Sequence, residues 1–169
     1  MKRTRWIAVA SVVALATIAA ACSQTTPTSE GTASGSATEA PHDEELSFGE
    51  PAEPGDEDRV IEVTQSDDMR FDPASIEVEA GETILFEVTN AGQAPHEFVL
   101  GDAALQAEHE EEMAEMGGAP MSNEPNAIAV EAGETGTVVW TFTESGALEF
   151  GCHVPGHYPA GMFGELTVT

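Results

Sequence analysis

The chain has 169 residues, 41% of them hydrophobic, with 31 acidic against five basic residues and a formal net charge of −26. Three of the basic residues, Lys2, Arg3 and Arg5, stand at the very start, so only Arg59 and Arg70 face the acids of the remaining chain. A surface this acidic repels phosphate backbones, which argues against nucleic acid and other anionic partners and fits either cationic partners or a salty habitat.

Residues 1–21 combine that basic start with an apolar run and small residues before Cys22. They predict a signal peptide, too short and wrongly flanked for a stable membrane span. The "AAAC" ending followed by Ser23 resembles a bacterial lipoprotein cleavage site, which implies Cys22 as the lipidated first residue of an exported protein. The expected location is the cell envelope, at the outer face of the cytoplasmic membrane. Residues 22–58 are rich in Ser, Thr, Pro, Gly and acid, and so predict a disordered tether that buries too little to offset chain entropy. Its mean reach is roughly 30–35 Å. His42, within it, is expected to be solvated. The folded domain is expected to span 59–169. With Cys22 lipidated or removed, Cys152 has no disulfide partner, and an unpaired cysteine in an exported protein needs a chemical reason.

From Val60 onward apolar residues alternate with polar ones, the period of strands with one buried face. Arg59–Gln65, then segments at 74–81, 82–90, 95–101, 126–133, 135–143, 147–153 and 164–169, predict about eight strands in an all-β, antiparallel Greek-key sandwich. The hexamer "VEAGET" occurs at 78–83 and again at 130–135, predicting equivalent hairpin turns. Trp140, flanked by Val138 and Phe142 on its own side of a strand, reads as core. Alternation aims His96 with Phe98 and Leu100, and Cys152 with Leu148 and Phe150, toward the core side of strand ends.

Residues 101–126 break the pattern. Asp102 is placed to cap a helix from Ala103 to about Met116, ended by a glycine pair, so a short helical insertion is expected around 102–117. Leu105, His109, Met113 and Met116 fall on one face of it, with Glu110 and Glu111 outward. His109, Met113, Met116 and Met121 are candidates for an auxiliary soft-metal site, although methionines on one helix face more often pack against a sheet.

The chemistry concentrates in "FGCHVPGHYPAGMFG", residues 150–164. A thiolate, imidazoles and a thioether form the donor set for copper alternating between its two oxidation states. Cys152, His157 and Met162 are spaced for one tight loop, bent by Pro155, Gly156, Pro159 and Gly161, and His96 is the natural fourth ligand from another strand. Zinc also takes Cys and His, but a lone methionine in fourth place argues against it. A cysteine hydrolase needs an oxyanion hole and an orienting third residue that "GCHVPGH" does not obviously supply.

Through "NAGQAPHEFVLGD" and "FGCHVPGHYPAGMFGELTV" the domain resembles the cupredoxins, the plastocyanin and azurin family of blue-copper proteins. That resemblance implies a Greek-key sandwich holding one type 1 copper by His96, Cys152, His157 and Met162. It also implies a single-electron carrier, not an enzyme. Electrons would leave through the edge of His157, ringed by Pro155, Tyr158, Pro159 and Ala160, toward a redox partner with a basic docking rim. The alternative is a copper-binding protein for sequestration, delivery or resistance.

Two residues depart from the common pattern. His153 makes the loop look like that of multicopper oxidases, yet the chain has no His-x-His pair to hold their trinuclear cluster. Alternation turns His153 away from Cys152, so it is expected as an outer-face histidine. Glu97 stands where many azurin and plastocyanin relatives have asparagine, leaving Asn90 or a backbone amide to tie the ligand loops together.

Overall fold

The computed structural model describes residues 46–117 and 124–169. The leader, Cys22, His42 and Met121 lie outside the described residues.

The described residues form ten strands and one helix in chain order. They are β1 (Gly49–Pro51), β2 (Arg59–Ser66), β3 (Arg70–Asp72), β4 (Ser75–Val78), β5 (Thr83–Asn90) and β6 (His96–Gly101), then the helix α1 (Ala103–Glu115). After the helix come β7 (Ala127–Val130), β8 (Thr135–Phe142), β9 (Gly146–Gly151) and β10 (Phe163–Val168). Two five-stranded sheets result, ordered β1-β8-β5-β2-β3 and β4-β10-β9-β6-β7. This is the expected all-β sandwich with a helical insertion, and the eight expected strands are among the ten.

Three details differ from expectation. The sandwich is not wholly antiparallel, because β2 runs parallel to β5 and β10 parallel to β4. A period of two fixes which face is buried but not which neighbour a strand chooses. The folded part also starts before residue 59. β1 pairs with β8, and Phe48 is buried with its ring 5.2 Å from that of Trp140. One aromatic anchor within acidic, Pro-rich sequence is enough to add an edge strand. Finally, the two "VEAGET" segments are equivalent turns but not hairpins: each takes the chain from one sheet to the other, β4 to β5 and β7 to β8. In both, an i to i+3 bond closes the turn (Glu82 N to Glu79 O and Glu134 N to Glu131 O, each 3.0 Å), and the glycine ahead of the donor has positive φ, 91° at Gly81 and 77° at Gly133. That conformation favours glycine.

The inward residues of both sheets form one core. Ile84, Phe86 and Val88 of β5 meet Phe98 and Leu100 of β6, Trp140 and Phe142 of β8, and Phe150 of β9. Trp140, Val138 and Phe142 are all buried, as their alternation requires. Cys152 and Met162 belong to the same cluster, so the candidate ligands sit at the end of a packed core instead of on a mobile surface loop.

β6 is buried on both faces. Its outer face lies under α1, whose start is fixed by the Asp102 carboxylate accepting the amides of Ala104 and Leu105 at 2.9 Å each. The helix buries Gln106, His109 and Met113, while Met116 at its C-cap is 48% exposed.

Candidate metal centre

His96 opens β6, Cys152 follows β9, and Met162 immediately precedes β10, with His157 in the loop between the last two. That loop is closed by its own backbone. His157 N donates to Val154 O (2.8 Å), Met162 N to His157 O (3.0 Å) and Cys152 N to Met162 O (3.1 Å). The eleven-residue excursion is thereby cinched where it leaves and re-enters the sheet, and the sheet sets the ligand positions.

The Nδ1 atoms of His96 and His157 lie 3.2 Å apart, and the Cys152 sulfur is 3.8 Å from the first and 3.4 Å from the second. Among the described residues this is the one cluster of three or more His, Cys or acidic side chains tight enough to hold a metal ion. Bonds of about 2.0–2.3 Å to nitrogen and thiolate, arranged in a trigonal plane, separate the donors by about 3.5–3.7 Å. The observed spacings bracket that value, so a single ion fits with little rearrangement. Met162 is fully buried in the same core cluster, while His157 is only partly covered.

Cys152 and His96 are fully buried and His157 is partly covered, and the protonation of the site follows from that burial. Burial pushes the Cys152 thiol up to about 11, partly opposed by the Glu97 backbone amide, which donates to the sulfur at 3.3 Å. Burial also lowers the pKa values of His96 and His157, keeping both imidazoles neutral and available as donors. The thiol must therefore lose its proton on becoming a ligand, while the imidazoles have none to lose. Uptake of one copper(II) near pH 7 should release one proton. Apparent affinity should then rise about tenfold per pH unit. Titration calorimetry in buffers of differing ionisation enthalpy measures this directly; zero protons released would show a thiolate already present in the apoprotein.

Asn90 and a backbone amide divide the work of tying the loops. Asn90 is fully buried, donates to Ala94 O (2.8 Å) and Val130 O (2.9 Å), and accepts from Gly92 N (2.9 Å). It clamps the segment leading into His96 against β7. Gln65, also fully buried, donates to Glu97 O at 2.7 Å and fixes the peptide that follows His96.

His153 does face away from Cys152, but it is not a solvated outer-face residue. It is 1% exposed under α1. Its Nε2 lies 2.7 Å from Gln106 Oε1 and its Nδ1 2.8 Å from Glu110 Oε2, so Glu110 is turned in toward the sheet, against the expectation that it points outward. The Gln106 amide nitrogen donates to Val99 O (2.9 Å) and Glu149 O (3.1 Å), which orients its oxygen at the histidine. Tyr158 stacks on the ring, centroids 4.5 Å apart, and His109 meets it edge-on at 4.9 Å. Burial works against a charge on His153, and the Glu110 carboxylate works for it. Strand alternation alone cannot reveal a helix laid over the outer face. Gln106 was not foreseen, and its only sequence signal is its place one turn beyond the Asp102 cap.

Of the auxiliary candidates, His109 and Met113 are buried, Met116 is exposed, and Met121 lies outside the described residues. His109 Nε2 is 4.0 Å from the Glu97 carboxylate, and burial, helped by His153, lowers the pKa of His109 to about 4.

Residues 58–169 match the profile of the copper binding proteins of the plastocyanin/azurin family. The chain belongs to this family. Among its curated relatives, the copper-resistant cuproprotein CopI of Rubrivivax gelatinosus is 43% identical over 127 residues, 75% of this chain and 76% of that one. CopI of Pseudomonas aeruginosa is 43% identical over 149 residues, 72% of this chain and 82% of the relative. Among solved structures, auracyanin A, a "blue" copper protein from Chloroflexus aurantiacus, matches with a TM-score of 0.55 at 26% identity, covering 65% of this chain and 98% of that one. For this cupredoxin the geometry gives His96, Cys152 and His157 as the converging donors, with Met162 buried and tied to Cys152 and His157 through its backbone. No helix among the described residues is long and apolar enough to cross a membrane.

Proposed function

We propose that this cupredoxin is an exported cuproprotein of copper handling and resistance, non-enzymatic, and held to the outer face of the cytoplasmic membrane through a lipid on Cys22. The similarity to two copper-resistant cuproproteins over some three quarters of the chain supports this reading. Copper at the site supplies a one-electron couple. The protein's own part is to hold a thiolate and two neutral imidazoles in a preset, water-excluding cluster that tolerates both oxidation states. The deciding experiment deletes the gene and measures growth against copper, then complements with wild type and with Cys152→Ala. Loss of tolerance restored only by wild type supports the reading; unaltered tolerance of the deletion strain defeats it.

A single-electron carrier is the second reading, favoured by the half-covered His157 edge among exposed Pro155, Pro159 and Ala160. A redox partner with a basic rim would dock there through fast, salt-sensitive association. A reversible potential and rapid self-exchange would support it, whereas failure to cycle together with copper transfer to an apo-acceptor would leave handling alone.

The copper-handling reading also offers a use for His109, Met113, Met116 and Met121 as a softer second site. Replacing Met113 and Met116 together should then lower the copper(I) bound per chain in a competition titration by one equivalent. Unchanged stoichiometry returns these methionines to packing.

A further inference from the structure

We infer that Asp67, in the turn between β2 and β3, is a positioning residue that sets which ring nitrogen of His96 carries the proton and so which one is presented to the metal. The ring of His96 is completely buried, and its two nitrogens have different surroundings. Nδ1 points into the cluster with Cys152 and His157. Nε2 is buried without a short hydrogen bond among the described residues, and the carboxylate it faces is that of Asp67, with Oδ1 at 3.5 Å.

A neutral imidazole has one N–H and one lone pair. A carboxylate beside Nε2 favours the tautomer with the proton there, and this leaves the Nδ1 lone pair free toward the site. At 3.5 Å the contact is longer than a good hydrogen bond, so the field of the carboxylate does the selecting. The same negative charge, set behind a ligand, favours the higher charge on the metal and therefore the oxidised state.

The position of Asp67 is built by the segment that delivers His96. Gln93 N donates to both carboxylate oxygens (3.0 and 2.9 Å) and Ala94 N to Oδ1 (3.2 Å). Gly92 makes this wrapping possible, since a Cβ there would stand 2.3 Å from Asp67 Oδ1 and 3.1 Å from Asn90 Oδ1. The β2–β3 turn, the Asn90 clamp and the first ligand are thereby joined through one carboxylate.

Three measurements test this. Long-range proton–nitrogen NMR on the full-length apoprotein should find His96 as the Nε2–H tautomer, and in Asp67→Asn a population with the proton on Nδ1. Asparagine keeps an oxygen for the loop amides while removing the charge, so it separates charge from loop support. Copper(II) affinity of Asp67→Asn by competition should fall roughly 10–100-fold, the usual range for partners behind a ligand. Its midpoint potential should move upward, and Gly92→Ala should shift it the same way by displacing the carboxylate. A purely structural Asp67 would loosen amide protection at Gln93 and Ala94 yet leave tautomer and potential unmoved, and that result overturns the inference. So does an Nδ1–H tautomer in the wild-type apoprotein, a measurement that stands whether or not the variants fold.

Discussion

Replacing Cys152 with serine should abolish the intense thiolate-to-copper absorption of the loaded protein and cost more affinity than the roughly 10–100-fold typical of changes behind a ligand. The sulfur is the one donor in the cluster that becomes an anion, and it lies within 3.8 Å of both imidazole nitrogens. A serine hydroxyl in the same dry position does not ionise in the working range, and it is a hard donor where a soft one suits copper in its lower oxidation state. The apoprotein should stay folded. The substitution changes one buried atom, and the Glu97 amide that donates to the sulfur can donate to the hydroxyl instead. A stability loss of about 1 kcal/mol is expected, within the ordinary run of point substitutions. Visible and circular dichroism spectra of the loaded variant, with urea unfolding of the apo form, separate the two effects. Persistence of the colour would remove Cys152 from the ligand set.

How much of this was readable from residues alone depends on whether the signal was local. Cys152, His157 and Met162 lie in one loop of eleven residues, and alternation in "LEFGC" and "PHEFVL" aimed Cys152 and His96 at the core, so the three converging donors, His96, Cys152 and His157, were legible. The helix was legible too, because Asp102 is a local cap. What was lost needed knowledge of which element lies over which. His153 has the same period-two signature whether its side of the sheet meets water or α1, and only the Gln106 and Glu110 contacts show that it meets the helix. Asp67 sits in a turn 29 positions before His96 and touches it only because the β2–β3 turn and the 91–95 loop fold together. Phe48 was hidden by composition, since a single buried ring in an acidic, Pro-rich stretch does not alter the average of its window.

Phe150→Ala should be the most destabilising of the single substitutions considered, by about 3–5 kcal/mol. The ring is fully buried, stacks on Phe98 at 5.5 Å and 23°, and meets Phe71 edge-on at 5.2 Å and 80°. Its ring also packs closely on Gly164, where an added Cβ would stand 2.2 Å from Cζ. Against a total stability of about 5–15 kcal/mol, the loss leaves the apoprotein near its folding threshold. Urea unfolding should show a lower midpoint with unchanged slope. Copper makes the experiment informative about the site as well. A ligand that binds only the folded state adds stability set by its affinity. If Phe150 acts by packing alone, the loss will be equal in apo and loaded protein. Phe150, on β9, stands two residues before Cys152, which follows the strand, and both lie in the same core cluster, so a larger loss in the loaded form would mean that the ring also holds the thiolate in place. An equal loss would show that the closed backbone of the 152–162 loop fixes the sulfur by itself.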